Sequence, residues 1–370
     1  MSKNRIIAVV VLGLLVVGAQ AIAQIPADYI QDEITSPALE GNVLGDPATR
    51  PLLVYLPPNY GKEPQRRYPT IYLLHGFTAN YTCFVSGGGL DLAFKAFGID
   101  LGADVGSIVT ELMAAGKMGE AIIVMPDASN SYGGSFYACN PLIGDYRTYI
   151  AKDLVAYIDA KYRTIADPNH RALGGHSMGG YGALSLAIEY PDVYGAVAAL
   201  SPVADFQQGA YVIDQFVAKY PQAPGVPHMG MKLEDLAAMD FTTNFLYALA
   251  AAFTPNLSKP PYFVDLPVKY PEGIVIPEVW QKWVDADPIH QIKRDGANLA
   301  KTAVLVVTGR GPTVFGDEVP ADTLVAALYE KALSFTYVAT PGDHLSDLRM
   351  KLSVALEFLY SHIAAPVGAK

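Results

Sequence analysis

The sequence predicts an α/β fold in which a mainly parallel sheet is covered by helices on both faces. Two observations predict it. Short apolar runs such as Thr70-Ile71-Tyr72-Leu73-Leu74 lack the polar alternation of a half-exposed strand, as strands buried on both faces do. Helical patterns separate successive runs, which implies crossover connections between parallel neighbours. Arg50 to Leu56 is the first such run, closed by the turn signal Pro57-Pro58-Asn59-Tyr60. Thr70 to Leu74 follows and ends at His75-Gly76. Further runs lie at Ala121 to Met125, Ala172-Leu173, Gly195 to Leu200, Ala303 to Val307 and Phe335 to Ala339. The helical patterns between them are Ile108 to Ala115, Tyr149 to Tyr162, Met178 to Tyr190 and Leu324 to Leu333. From Asp205 to His290 this rhythm breaks. Helical stretches at Tyr211 to Lys219 and Leu233 to Phe253 are joined by segments carrying Pro255, Pro260, Pro261, Pro267, Pro271 and Pro277, which preclude a continuous sheet. Residues 205–290 therefore read as an insertion over one end of the sheet.

Composition narrows the function classes. With 51% hydrophobic and 17% charged residues among 370, the chain is too apolar for a disordered tail. A formal net charge of −10 and no Lys/Arg cluster argue against nucleic acid or an anionic membrane as the partner. The amino terminus is a separate object. Lys3 and Arg5 precede an apolar run from Ile6 to Val17, and Ala21-Ile22-Ala23 is a small-x-small cleavage signal. At 1.5 Å per residue that run is far shorter than the ~30 Å hydrocarbon core. Residues 1–23 thus read as a signal peptide, with the mature chain starting near Gln24, no membrane anchor, and a secreted or periplasmic location. Cys83 and Cys139 form an even pair in an oxidising compartment, which leaves a disulfide open. No CxxC or HxxxH spacing suggests a metal site.

The chemistry concentrates at Gly175-His176-Ser177-Met178-Gly179. This G-x-S-x-G pentapeptide lies after a strand and before an amphipathic helix, where a strained turn lifts a serine clear of the sheet. Glycines two before and two after the serine remove side chains that would clash. Ser177 is then a nucleophile at a helix N-terminus; the alternative is an ordinary capping serine. At the end of another strand, His75-Gly76-Phe77 turns an amide toward the acyl oxygen, so the N–H groups of Phe77 and Met178 form the expected oxyanion hole, with His75 structural. Sheets with this serine turn run nucleophile, acid, base along the chain, which selects His344 in Pro341-Gly342-Asp343-His344 as the base. The acid is the weakest member. The strand Ala303 to Val307 runs into Thr308-Gly309-Arg310-Gly311-Pro312, which holds no carboxylate, so Asp317 is chosen, with Glu318 and Asp205 as alternatives. Trp280 and Trp283, with Tyr262 and Phe263, are candidate walls of an aromatic or sugar pocket.

Together, Tyr72-Leu73-Leu74-His75-Gly76, Met125-Pro126-Asp127, Gly133-Gly134-Ser135-Phe136-Tyr137, Tyr157-Ile158-Asp159 and Gly174 to Gly182 resemble the Putative esterase family of α/β-hydrolases. That family includes esterase D (S-formylglutathione hydrolase), feruloyl and acetylxylan esterases, and bacterial mycolyltransferases. The resemblance runs from about Ile34 to Phe358. It implies one α/β-hydrolase domain over residues 24–370 and a serine carboxylic ester hydrolase without metal or cofactor. Ser177 and His344 match the family's nucleophile and base, and Phe77 and Met178 its oxyanion positions. One departure stands out: the family's acid usually follows a Gly-Thr pair at the end of the penultimate strand, here near Pro312 and Thr313. The expected substrate is a small-molecule or polysaccharide-linked ester of feruloyl or acetyl type. The rival readings are an acyltransferase passing the acyl group to a sugar, and a non-catalytic binder on a degenerate scaffold.

Overall fold

The computed structural model describes residues 28–89, 91, 102–206, 227, 229, 241–270, 272–311 and 318–364. The expected signal segment 1–23, the helix at 211–219 and Asp317 lie outside the described residues. Eight strands form the central sheet: β1 (Tyr29–Thr35), β2 (Thr49–Tyr55), β3 (Thr70–Leu74), β4 (Ile122–Pro126), β7 (Arg171–His176), β8 (Ala196–Leu200), β11 (Ala303–Gly309) and β12 (Phe335–Thr340). Short two-residue pairs make two small hairpins, β5 (Cys139–Asn140) with β6 (Gly144–Asp145), and β9 (Val268–Lys269) with β10 (Ile274–Val275). The spatial order is β1-β2-β4-β3-β7-β8-β11-β12. Pairing is antiparallel for β1 with β2 and β2 with β4, and parallel from β4 onward. The chain therefore has the mainly parallel sheet that its apolar runs predict.

Alternate residues of each strand feed separate cores. Tyr72, Leu74, Val124, Leu173, Val197 and Val306 pack on one face with α2 (Leu154–Lys161) and α3 (Met178–Glu189). Ile71, Leu73, Ile123, Ala172, Ala198 and Val307 pack on the other with α1 (Val105–Ala114) and α8 (Leu348–Ile363). Burial of both faces is why the runs carry no alternation. The strand missed in sequence is β1. Its YIQDEIT segment puts Gln31, Asp32 and Glu33 on an edge with only Tyr29 and Ile34 buried, so it carries no apolar run.

Between β8 and β11 lie α4 (Phe241–Phe253), the β9–β10 hairpin, α5 (Pro277–Ala286) and α6 (Pro288–Asp295). Pro277 and Pro288 each open a helix, where a missing N–H costs nothing and the fixed φ suits the first turn. Ile289 and Ile292 of α6 join the main core, so the segment is bonded to the sheet through its C-terminal helix. Beyond β11, α7 (Glu318–Glu330) begins six residues earlier than the periodicity at Leu324 suggests. Pro320 sits in its first turn, which tolerates proline. Cys83 and Cys139 are both free thiols, the first buried and the second exposed.

Candidate active site

Ser177 follows the last residue of β7 and has φ 59° and ψ −116°, outside the regions a side-chain-bearing residue ordinarily occupies. Such a conformation costs about 1–3 kcal/mol and persists only where its surroundings hold it. Both of its backbone groups are held. Its N–H donates to the Leu200 carbonyl of β8 (2.9 Å), and its carbonyl accepts from Tyr181 (3.0 Å) and Val203 (3.2 Å). The side chain, by contrast, makes no capping bond to α3, although Ser177 occupies the N-cap position. An ordinary capping serine would spend its hydroxyl there. Here the residue is partly exposed and its hydroxyl is unused by the helix.

The flanking glycines are required by backbone proximity. A Cβ on Gly175 would strike the Gly179 carbonyl, and one on Gly179 would strike the Leu74 carbonyl of β3. Neither obstacle is a flexible side-chain end. Gly179→Ala is therefore expected to destabilise the fold by about 3 kcal/mol, as over-packing against an unyielding wall does. Thermal denaturation of the variant beside the wild type checks this, and an unchanged midpoint would refute the backbone-contact argument.

The end of β3 lies alongside. A Cβ built on Gly76 would sit 3.4 Å from the Ser177 Cβ. The Gly76–Phe77 peptide is gripped at its oxygen: His75 Nδ1–H donates to the Gly76 carbonyl (2.9 Å), and Ala79 N–H reaches the same oxygen (3.2 Å). His75 Nε2 in turn accepts from Ala128 N–H (2.8 Å) and lies 3.5 Å from the Asp127 carboxylate. His75 is 1% exposed, so it shapes this turn from inside. The neighbouring Asp127 pairs with Arg50 at 2.6 Å in a buried ion pair. The Gly133–Tyr137 segment closes the floor: Gly133 accepts from Thr78 N–H (2.9 Å), Tyr137 Oη donates to the His75 carbonyl (2.9 Å), and Gly134 fits under Met178 and Phe77. Because a trans peptide directs its N–H opposite its C=O, fixing the Gly76 oxygen also fixes the direction of Phe77 N–H. Met178 is the first residue of α3, so its N–H has no intrahelical acceptor.

His344 lies in the loop between β12 and α8. Its carbonyl accepts from His176 Nε2–H at 2.9 Å, and the two rings stand 4.8 Å apart at 53°. Since His176 immediately precedes Ser177, this contact ties the backbone of the His344 loop to the residue next to the predicted nucleophile. Burial, together with the neighbouring His344 and Lys351, holds the His176 imidazole well below the ordinary histidine value, so it is neutral. The His344 loop is also knitted to the end of β11: Arg310 N–H donates to Thr340 (2.8 Å) and Gly311 N–H to Gly342 (2.7 Å).

Of the three acid candidates, Asp317 lies outside the described residues, and Glu318 is the first residue of α7. Asp205 is buried after β8 with φ 57°, and its charge acts on Asp287 and His290. Its amide and that of Phe206 donate to the Asp287 carboxylate, as does Ile289 N–H at 2.8 Å. Burial pushes the Asp287 carboxyl up to about 6 against those donors. Asp205 thus belongs to a staple between β8 and α6.

Of the two tryptophans, Trp283 alone is placed away from any pocket surface. Trp283 is 1% exposed, its Nε1–H donates to Thr254 Oγ1 (3.1 Å), and it packs on Phe206 and Phe253. It is a core residue, not a pocket wall. Trp280 is half-buried and rests on Trp283. A cavity of about 330 Å³ in this region is lined by Tyr247, Lys259, Tyr262, Val264, Asp265, Leu266, Val268 and Ile276, and so includes neither tryptophan. Aromatics that sequence reasoning missed stand at the turn carrying Phe77, the predicted oxyanion donor. Phe77 packs edge-on against Phe241 (5.4 Å) and Phe245 (5.2 Å) and lies beside Phe136 (6.4 Å).

The sequence profile of the Putative esterase family matches residues 47–345. The chain belongs to that family. Among curated relatives, an esterase of Mycobacterium tuberculosis is 36% identical over 153 residues, covering 40% of this chain and 27% of that protein. The endo-1,4-beta-xylanase/feruloyl esterase of Xylanibacter ruminicola is 32% identical over 38% of this chain and 18% of its own length. The S-formylglutathione hydrolase of Mus musculus is 30% identical over 41% and 51%. The matched region thus spans about half or less of each relative. Among solved structures, a ferulic acid esterase aligns with a TM-score of 0.58 at 20% identity, covering 91% of this chain and 98% of its own. The S-formylglutathione hydrolase of Agrobacterium tumefaciens aligns at 0.53 and 16% identity, covering 91% and 95%. This esterase-family chain therefore has the α/β-hydrolase fold.

Proposed function

We propose that the protein is a serine ester hydrolase acting through an acyl-enzyme on Ser177. The observation that carries this reading is the strained serine whose hydroxyl is left uncommitted beside Met178 N–H, the Gly76–Phe77 peptide and the His344 loop. In the proposed reaction Ser177 Oγ bonds to the ester carbonyl carbon while His344 takes the hydroxyl proton. Phe77 and Met178 N–H groups hold the oxyanion, each such donor contributing about 3–4 kcal/mol to the transition state. The carbon–alkoxide bond then breaks, and His344 returns the proton to the leaving alcohol. Water repeats the cycle on the acyl-enzyme and frees the acid. Asp317 is proposed to orient His344.

The substrate class we favour is a feruloyl- or acetyl-type ester, including those carried on polysaccharide. The partly exposed Phe241 and Phe245, which pack on Phe77 at the proposed oxyanion turn, support an aromatic acyl group. The reading is tested by fluorophosphonate labelling of the purified protein, then by turnover of p-nitrophenyl esters of graded length beside methyl ferulate. Labelling with turnover supports the hydrolase; absence of labelling would favour a binding protein on the same scaffold. Export is part of the proposal, carried by the apolar run and small-residue site before Gln24. No helix among the described residues is long and apolar enough to cross a membrane. N-terminal sequencing of protein recovered outside the cytoplasm is expected to begin at or near Gln24, and recovery of an intact Met1 terminus would overturn export by cleavage.

A further inference from the structure

Lys351 stands on the first turn of α8 and is fully buried, 0% exposed. Both circumstances oppose folding stability. A buried ammonium loses its hydration, and a cation in a first turn faces the positive end of the helix dipole. Its charge lies near the Asp343 carboxylate, which it helps hold below the usual carboxylate range, and it makes a pair of charge-assisted bonds. Lys351 Nζ donates to the Asp343 carbonyl at 2.5 Å and to the His344 carbonyl at 3.0 Å.

Those two oxygens belong to the peptide planes on either side of the His344 Cα. One ammonium that holds both planes fixes the φ and ψ of His344, and with them the direction in which its Cα–Cβ bond leaves the chain. The His344 oxygen is held a second time by His176 Nε2–H, from the residue next to Ser177. Nucleophile and base are thus referenced to one carbonyl. We propose that Lys351, together with His176, is a positioning residue that aims the His344 imidazole at Ser177. The inference rests on the catalytic roles proposed for Ser177 and His344.

Lys351→Met keeps the buried length of the side chain and removes the ammonium. It is expected to lower kcat on a p-nitrophenyl ester about 10- to 100-fold, with KM within about twofold, because small displacements of a catalytic group cost that much. The second-order rate of fluorophosphonate labelling should fall by the same factor. His176→Phe, which removes the other donor, is expected to fall less, and His176→Gln, whose amide reaches the same carbonyl, to recover most of the loss. Because both residues act on one oxygen, the losses in the Lys351→Met/His176→Phe double variant should combine non-additively. Wild-type protein labelled at Ser177, with folded Lys351→Met labelled equally fast, overturns the positioning role alone. Wild-type protein that does not label overturns the esterase reading itself. If Lys351→Met does not fold, the His176→Phe and His176→Gln pair decides the question: equal kcat in both overturns the proposal, and recovery in the glutamine variant upholds it.

Discussion

Ser177→Ala is expected to abolish fluorophosphonate labelling and to lower kcat by on the order of 10⁴ to 10⁶, the range seen when a triad serine is removed. The structure makes this variant unusually interpretable. Alanine retains the Cβ, so the positive φ is no more strained than before. The lost hydroxyl makes no capping bond to α3, and the contacts that hold the turn come from the backbone of residue 177 to Leu200, Tyr181 and Val203. Stability should therefore be nearly unchanged, which a thermal melt beside the kinetic assay checks. Any residual turnover would come from the Phe77 and Met178 amides, which the substitution leaves in place. Retention of labelling or of wild-type kcat in this variant would remove Ser177 from the mechanism and the mechanism from this site.

Most of the sheet was legible because burial on both faces leaves a contiguous signal in the chain. The Thr70–Leu74 run is a strand with the same bounds in the structure, and the paired glycines around Ser177 reflect backbone contacts with Leu74 and Gly179. β1 was not legible, since an edge strand carrying Gln31-Asp32-Glu33 has the composition of a loop. Trp283 was misread because an aromatic in an insertion looks the same whether it faces a ligand or Thr254 and Phe253. The supporting shell was the least legible part. His75 and His176 could be set aside as bases from chain order, but their work consists in holding the carbonyls of Gly76 and His344. Which carbonyl a side chain reaches is settled by tertiary packing, across 168 residues for His176 and His344. Lys351 belongs to no motif in the sequence. Nothing in the pattern around it announces that α8 turns it inward toward Asp343.

The acid is where the second large effect is expected. Asp317→Asn should lower kcat by about 10³ to 10⁴ with little change in KM, because an amide in place of the carboxylate no longer holds the imidazole in its productive tautomer. Gly311 is hydrogen-bonded to Gly342, two residues before His344, and Glu318 begins α7. Asp317 follows Gly311 by six residues in sequence, a step that spans at most ~20 Å from a residue bonded to the His344 loop. Asp205 starts from a different place: its amide is bonded to the Asp287 carboxylate, in the staple that ties the β8 turn to α6. Asp205→Asn is accordingly expected to act on stability more than on kcat. Measuring kcat, KM and melting temperature for Asp317→Asn, Glu318→Gln and Asp205→Asn in parallel separates the three. A full-rate Asp317→Asn alongside a crippled Glu318→Gln would move the orienting role one residue along the chain. Full rates in all three would mean that His344 is oriented by its backbone alone, through the carbonyl held by His176 and Lys351.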